Sequence, residues 1–102
     1  RWQLRGERGK GFSTPPLIDG DRVFIGDRVA GAGGGRGYAL RALSAADGSE
    51  QGRFAAPAEI LAVALAGAPE TLFCCDEDGG TSALEPASLA ERWRHALSLI
   101  HI

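Results

Sequence analysis

Two adjacent thiols, Cys74 and Cys75, are the residues of this 102-residue chain best equipped for chemistry. A thiolate is a nucleophile, a redox group and a metal ligand. Their setting, Thr71-Leu72-Phe73-Cys74-Cys75, reads as a strand, and a strand sends neighbouring side chains to opposite faces. Adjacent Cα atoms also sit about 3.8 Å apart, below the usual disulfide span. One cysteine is therefore expected in a core and the other as a free thiol. The next stretch, Asp76-Glu77-Asp78-Gly79-Gly80, gathers oxygen ligands of the kind hard cations prefer. It lacks the EF-hand spacing and has no distant Glu to complete the shell, so it reads as a solvated turn. The Gly31 to Gly37 segment lacks both G-x-G-x-x-G and a following Gly-Lys-Ser/Thr, and it reads as a flexible insertion in which Arg36 is the one anion-seeking group. His95 is the sole histidine before residue 97, and no Ser/Asp partners or zinc spacing surround it. No catalytic residue and no metal site are expected.

The elements that must position these groups follow from turn punctuation. Trp2 ends a strand. Phe12 to Ile18 contains Pro15 and Pro16, which suit a strand start or edge and exclude a helix interior. Asp19-Gly20 turns the chain into Arg22-Val23-Phe24-Ile25-Gly26. Val29 to Gly37 reads as a loop, Tyr38 to Ala45 alternates as a strand, Asp47-Gly48 turns, and Glu50 to Phe54 returns. The plan then repeats with Ile60 to Leu65, Thr71 to Cys75, Thr81 to Glu85 and Glu91 to Ala96. Ala55 to Leu65 and Ser88 to Ala96 also contain good helix formers, and the repeat decides for strands.

That repeat is visible residue by residue. Ala42-Leu43 and Ala83-Leu84 lie 41 positions apart (84 − 43), as do Gly52 and Trp93 (93 − 52). Phe24 and Phe73 lie 49 apart, so the first copy holds eight extra residues (49 − 41), which fall on the Gly-rich segment. A period of about 40–50 residues marks propellers and solenoids. Eight short strands at this spacing fit an all-β sandwich, barrel or propeller, and the repeat favours the last: two antiparallel four-stranded blades of a truncated β-propeller. Residues 1–54 form the first repeat, with the insertion at 29–37 and the end of an earlier blade before it. Residues 55–96 form the second, and the tail 97–102 is expected to be adapter-derived.

The two phrases resemble the pyrroloquinoline-quinone-type (PQQ-like) β-propeller repeat, whose units end in A-L-x-x-x-(T/D)-G-x-x-x-W. Ala42, Leu43, Asp47 and Gly48 match in the first unit, with Gly52 where Trp belongs. Ala83, Leu84 and Trp93 match in the second, with Leu89 where Gly belongs, and Trp2 fits the end of a preceding unit. The resemblance implies that Trp glues adjacent blades, a tryptophan docking motif. Gly52 then predicts a weak junction, since losing a buried large aromatic costs about 3–5 kcal/mol. Phe54, two residues on, is the expected substitute.

The chain is 44% hydrophobic with a net charge of −2, so neither nucleic acid nor an anionic membrane is an expected partner. No apolar run reaches the roughly 18–20 residues of a membrane span. The expected partners are the remaining propeller blades of the same chain and other proteins. The expected function is that of a non-catalytic binding or scaffold module within a larger exported bacterial protein. No cofactor is expected on that reading, and periplasm or cell envelope is implied by the resemblance alone. One alternative is a fragment of a quinone-dependent alcohol or sugar dehydrogenase. Some of these carry a vicinal disulfide against the quinone, which would make Cys74 and Cys75 cofactor-binding and PQQ the cofactor. A further alternative is a sensor propeller attached to a kinase or other signalling domain.

Overall fold

Glycines set the punctuation of the fold. Gly20, Gly48, Gly67 and Gly79 all take positive φ, between 60° and 91°, where a residue without Cβ meets no steric penalty. Each lies in a link between successive strands. A computed structural model describes residues 12–30, 36–67 and 70–96. Trp2, the centre of the Gly-rich insertion and the 97–102 tail lie outside the described residues.

Eight strands follow one another: β1 (Leu17–Asp19), β2 (Arg22–Ala30), β3 (Arg36–Ser44), β4 (Glu50–Ala56), β5 (Ile60–Ala66), β6 (Thr71–Asp76), β7 (Gly80–Leu84) and β8 (Glu91–Ala96). They form two four-stranded antiparallel sheets in simple up-and-down order, β1-β2-β3-β4 and β5-β6-β7-β8. The arrangement is all-β and consistent with two propeller-like blades. Among the described residues the helix-prone stretches form no helix and run mainly as strands, the first broken at 57–59 and the second beginning only at Glu91.

Three boundaries move from the sequence reading. The insertion is not wholly a loop: Val29 and Ala30 pair with Gly37 and Arg36, so it lengthens the β2–β3 hairpin. Both strands of that hairpin reach 9 residues, against 6 and 5 in β6 and β7. The proline-bearing first strand shrinks to β1, with Phe12 making an isolated bridge to Asp27. β4 runs on to Ala56, two residues past the expected repeat boundary.

The core lies between the sheets. Phe24, Leu40 and Ala42 of the first pack with Ile60, Leu72, Cys74, Leu84 and Leu89 of the second. A second cluster, Val23, Ile25 and Leu43, occupies the opposite face of the first sheet, with Phe12 and Ala45 against it. The backbones approach closely at Gly26, where an added Cβ would stand 3.1 Å from the Ile60 Cβ and 2.8 Å from the Ser13 Oγ. Any larger residue there would push β5 away from β2.

Candidate functional site

The repeat becomes geometric when the rows across each sheet are compared. In the first sheet Leu17, Phe24, Ala42 and Gly52 stand opposite one another across β1 to β4. In the second, Ala64, Phe73, Ala83 and Trp93 do the same across β5 to β8. Side chains on one row share a face. The first row faces into the inter-sheet core. The second points away from the first sheet, and there the Phe73 and Trp93 rings meet at 6.1 Å, tilted by 58°. Trp93 remains 49% exposed. The aliphatic faces correspond too: Val23, Ile25 and Leu43 in the first sheet match Leu72, Cys74 and Leu84 in the second. Each sheet thus carries one aromatic and one aliphatic face, and at the junction the first sheet's aromatic face meets the second's aliphatic face.

Cys74 and Cys75 fall on opposite sides of β6 and are both free, Cys74 buried and Cys75 exposed. Burial pushes the Cys74 thiol up to about 11, with the Cys75 and Asp76 charges adding to the effect. It is therefore a packed core group rather than a nucleophile. Cys75 lies on the aromatic side, its sulfur 3.6 Å from the Thr81 hydroxyl.

The acidic turn is not fully solvated. Asp76 is buried. Its Oδ1 accepts from the Asp78 and Gly80 amides at 3.1 and 3.0 Å, and its Oδ2 pairs with Arg94 at 2.8 Å. The Arg94 guanidinium also donates to the Ser82 hydroxyl at 3.0 Å and lies over Gly80, where any Cβ would overlap it. Arg94, next to Trp93 in the sequence, is thus held in place by these partners. Asp27 is the equivalent carboxylate in the first sheet, 49 positions earlier (76 − 27), buried and paired with Arg41 at 2.8 Å. Arg41 continues to Glu50 at 2.8 Å, and Glu50 to Arg53 at 2.9 Å. Arg92, on the other flank of Trp93, pairs with Glu85 and donates to the Thr71 hydroxyl at 2.6 Å. Among the described residues, no three His, Cys, Asp or Glu side chains gather to hold a metal.

Both repeat phrases close on the same turn. The Gly48 amide donates to the Ser44 carbonyl and the Ser44 amide to the Ser49 carbonyl, both at 2.8 Å. The Leu89 amide donates to the Glu85 carbonyl and the Glu85 amide to the Ala90 carbonyl, at 2.7 and 2.9 Å. A register shift precedes each turn, at Ala42/Leu43 and Ala83/Leu84. Asp47 tightens its turn by accepting from the Ser49 amide and hydroxyl at 3.0 and 2.8 Å, which holds its carboxyl below the ordinary range. Leu89 takes the same left-handed backbone as Gly48, at φ 62°, and its side chain is buried. It fills the space beside Gly52: an added Cβ there would stand 3.5 Å from the Leu89 Cδ1. Phe54 also packs against the inter-sheet cluster, as expected of a residue standing in for the missing ring.

The same turn is held from the first sheet by Arg22. Its guanidinium donates to the Pro86 carbonyl and, at 3.4 Å, to the Ala87 carbonyl. It lies 5.0 Å from the Phe24 ring centroid, within cation–π range. Arg28 and Glu59, 3.2 Å apart, bridge the sheets at another point. The sequence reading missed these groups. The 49-residue offset already linked Asp27 with Asp76, but nothing local distinguished Arg22 or Arg28 from surface arginines. The chain matches no protein-family model and no curated protein.

Proposed function

We propose that the chain supplies two consecutive blades of a PQQ-like β-propeller and acts as a non-catalytic binding or scaffold module, its open aromatic face receiving a further blade. The observation that carries this reading is the equivalence of the Phe24-Ala42-Gly52 and Phe73-Ala83-Trp93 rows. The first is covered by a sheet that turns its aliphatic face towards it. The second presents the same kind of face to solvent, with Trp93 half-exposed. Continuity of that interface favours another four-stranded sheet with an aliphatic inner face as the occupant, since repeat arrays gain stability from each neighbour contact. The opposed, unbridged cysteines weigh against the quinone-dehydrogenase alternative, which gains from a bridged pair.

A chain lengthened after Ala96 by a second copy of residues 55–96, that copy carrying Leu89→Gly, tests the reading. The added sheet is expected to bury Trp93, shifting its emission to the blue, to protect Cys75 from thiol reagents, and to raise the urea midpoint. An added copy that leaves Trp93 and Cys75 as accessible as before would overturn it.

A further inference from the structure

Two positions depart from the repeat in opposite directions. Leu89 occupies the turn position that is Gly48 in the first sheet, and Gly52 occupies the strand position that is Trp93 in the second. The structure brings these two departures into contact across the junction, with Leu89 at 3% exposure against the bare Gly52 backbone. We infer that Leu89 and Gly52 are a matched pair by which the 85–90 turn of the second sheet selects the first sheet as its neighbour. Apolar bulk that a tryptophan would supply from β4 is supplied instead from the neighbour's turn.

The geometry gives this pairing a direction. Arg22 holds the turn by the Pro86 and Ala87 carbonyls, and Arg22 itself is fixed over Phe24. The turn is therefore pinned where Leu89 must enter the first sheet's aromatic row. A large residue at position 52 would collide with Leu89. A glycine at position 89 would leave a void beside Gly52, and each error would be relieved by the other. The inference rests on the two sheets alone and stands whether or not they belong to a propeller.

Four 102-residue proteins test it: the unchanged chain, Gly52→Trp, Leu89→Gly, and the double variant, compared by urea unfolding. Each single change is expected to lower the folded-to-unfolded ratio about tenfold or more, and the double is expected to keep a ratio at least about tenfold higher than the two losses multiplied together would leave, as coupled contacting residues do. Losses that multiply independently, or a Leu89→Gly protein more stable than the unchanged chain, would overturn the pairing. Should a variant fail to fold, Gly52→Leu is placed in both the unchanged and the Leu89→Ala backgrounds, and the rate of Cys74 labelling at pH 8 is followed. Gly52→Leu is expected to speed labelling in the unchanged background and to slow it in the Leu89→Ala background. The same direction in both backgrounds would sink the inference.

Discussion

Leu89 holds a left-handed backbone that disfavours any L-residue by about 1–2 kcal/mol. Against that stands the removal of a leucine from a packed site, which costs about 2–5 kcal/mol when the space is not refilled. Packing wins, which is why a leucine persists where the backbone asks for glycine. The cysteines show a comparable contrast on adjacent residues. Cys74 has its thiol raised to about 11 chiefly by burial, whereas Cys75 is exposed. With a chromogenic disulfide reagent at pH 8, Cys75 is expected to react within the mixing phase and Cys74 only as fast as the sheets separate. Two equal rapid phases would mean that the junction is open in solution.

Among the elements, the first sheet carries a charge ladder from Asp27 on β2 through Arg41 on β3 to Glu50 and Arg53 on β4. The Arg53 hydrogen bond above all holds the Glu50 carboxyl below its ordinary 4.5; burial opposes it, and Arg41 then adds to the lowering. A group whose folded value is depressed stabilises the fold above its unfolded value and loses that stabilisation as pH falls through the folded one. The gap in urea midpoint between the unchanged chain and Glu50→Gln should therefore be present at pH 7 and close as pH drops below 4.5. It should be small and shrink in salt, because these side chains are partly solvated. A gap that widens on acidification would contradict the assignment.

Element order was legible from Asp-Gly turns and from the 41-residue offset, because a turn has local chemistry. Strand ends were less so. The Gly-rich segment reads as a loop residue by residue, yet its flanks join the ladder because β2 and β3 are already paired and can continue outward from Arg28 and Tyr38. Cys74 and Cys75 could be assigned to opposite faces from strand alternation alone. The burial of Asp76 could not be read locally, since Arg94 arrives from β8 across β7. Gly52 and Leu89 each read as a defect within one repeat, and only contact between sheets makes them complementary.

For the whole molecule, one cluster drawn from both sheets is the main store of burial, and neither sheet keeps a comparable core when separated. Among the described residues no helix is long and apolar enough to cross a membrane. Because they share that core, the two sheets are expected to unfold in a single transition, with far-UV circular dichroism and exposure of Cys74 coinciding along a urea titration. Cys74 exposure at a lower urea concentration than loss of strand signal would mean that the sheets fold independently.

The unlike faces of each sheet have a consequence for symmetry. A unit that is aromatic on one side and aliphatic on the other has a head and a tail. Two such units join head to tail, and the join leaves a head exposed, so the arrangement does not satisfy itself through a twofold axis. Its growth is heterologous: a constant rotation per unit either closes a ring or winds an open spiral. The junction described here adds a size rule to that directional one. A tail arriving at Gly52 brings Leu89, whereas the head that carries Trp93 already fills the equivalent space, and so calls for a tail with a bare turn.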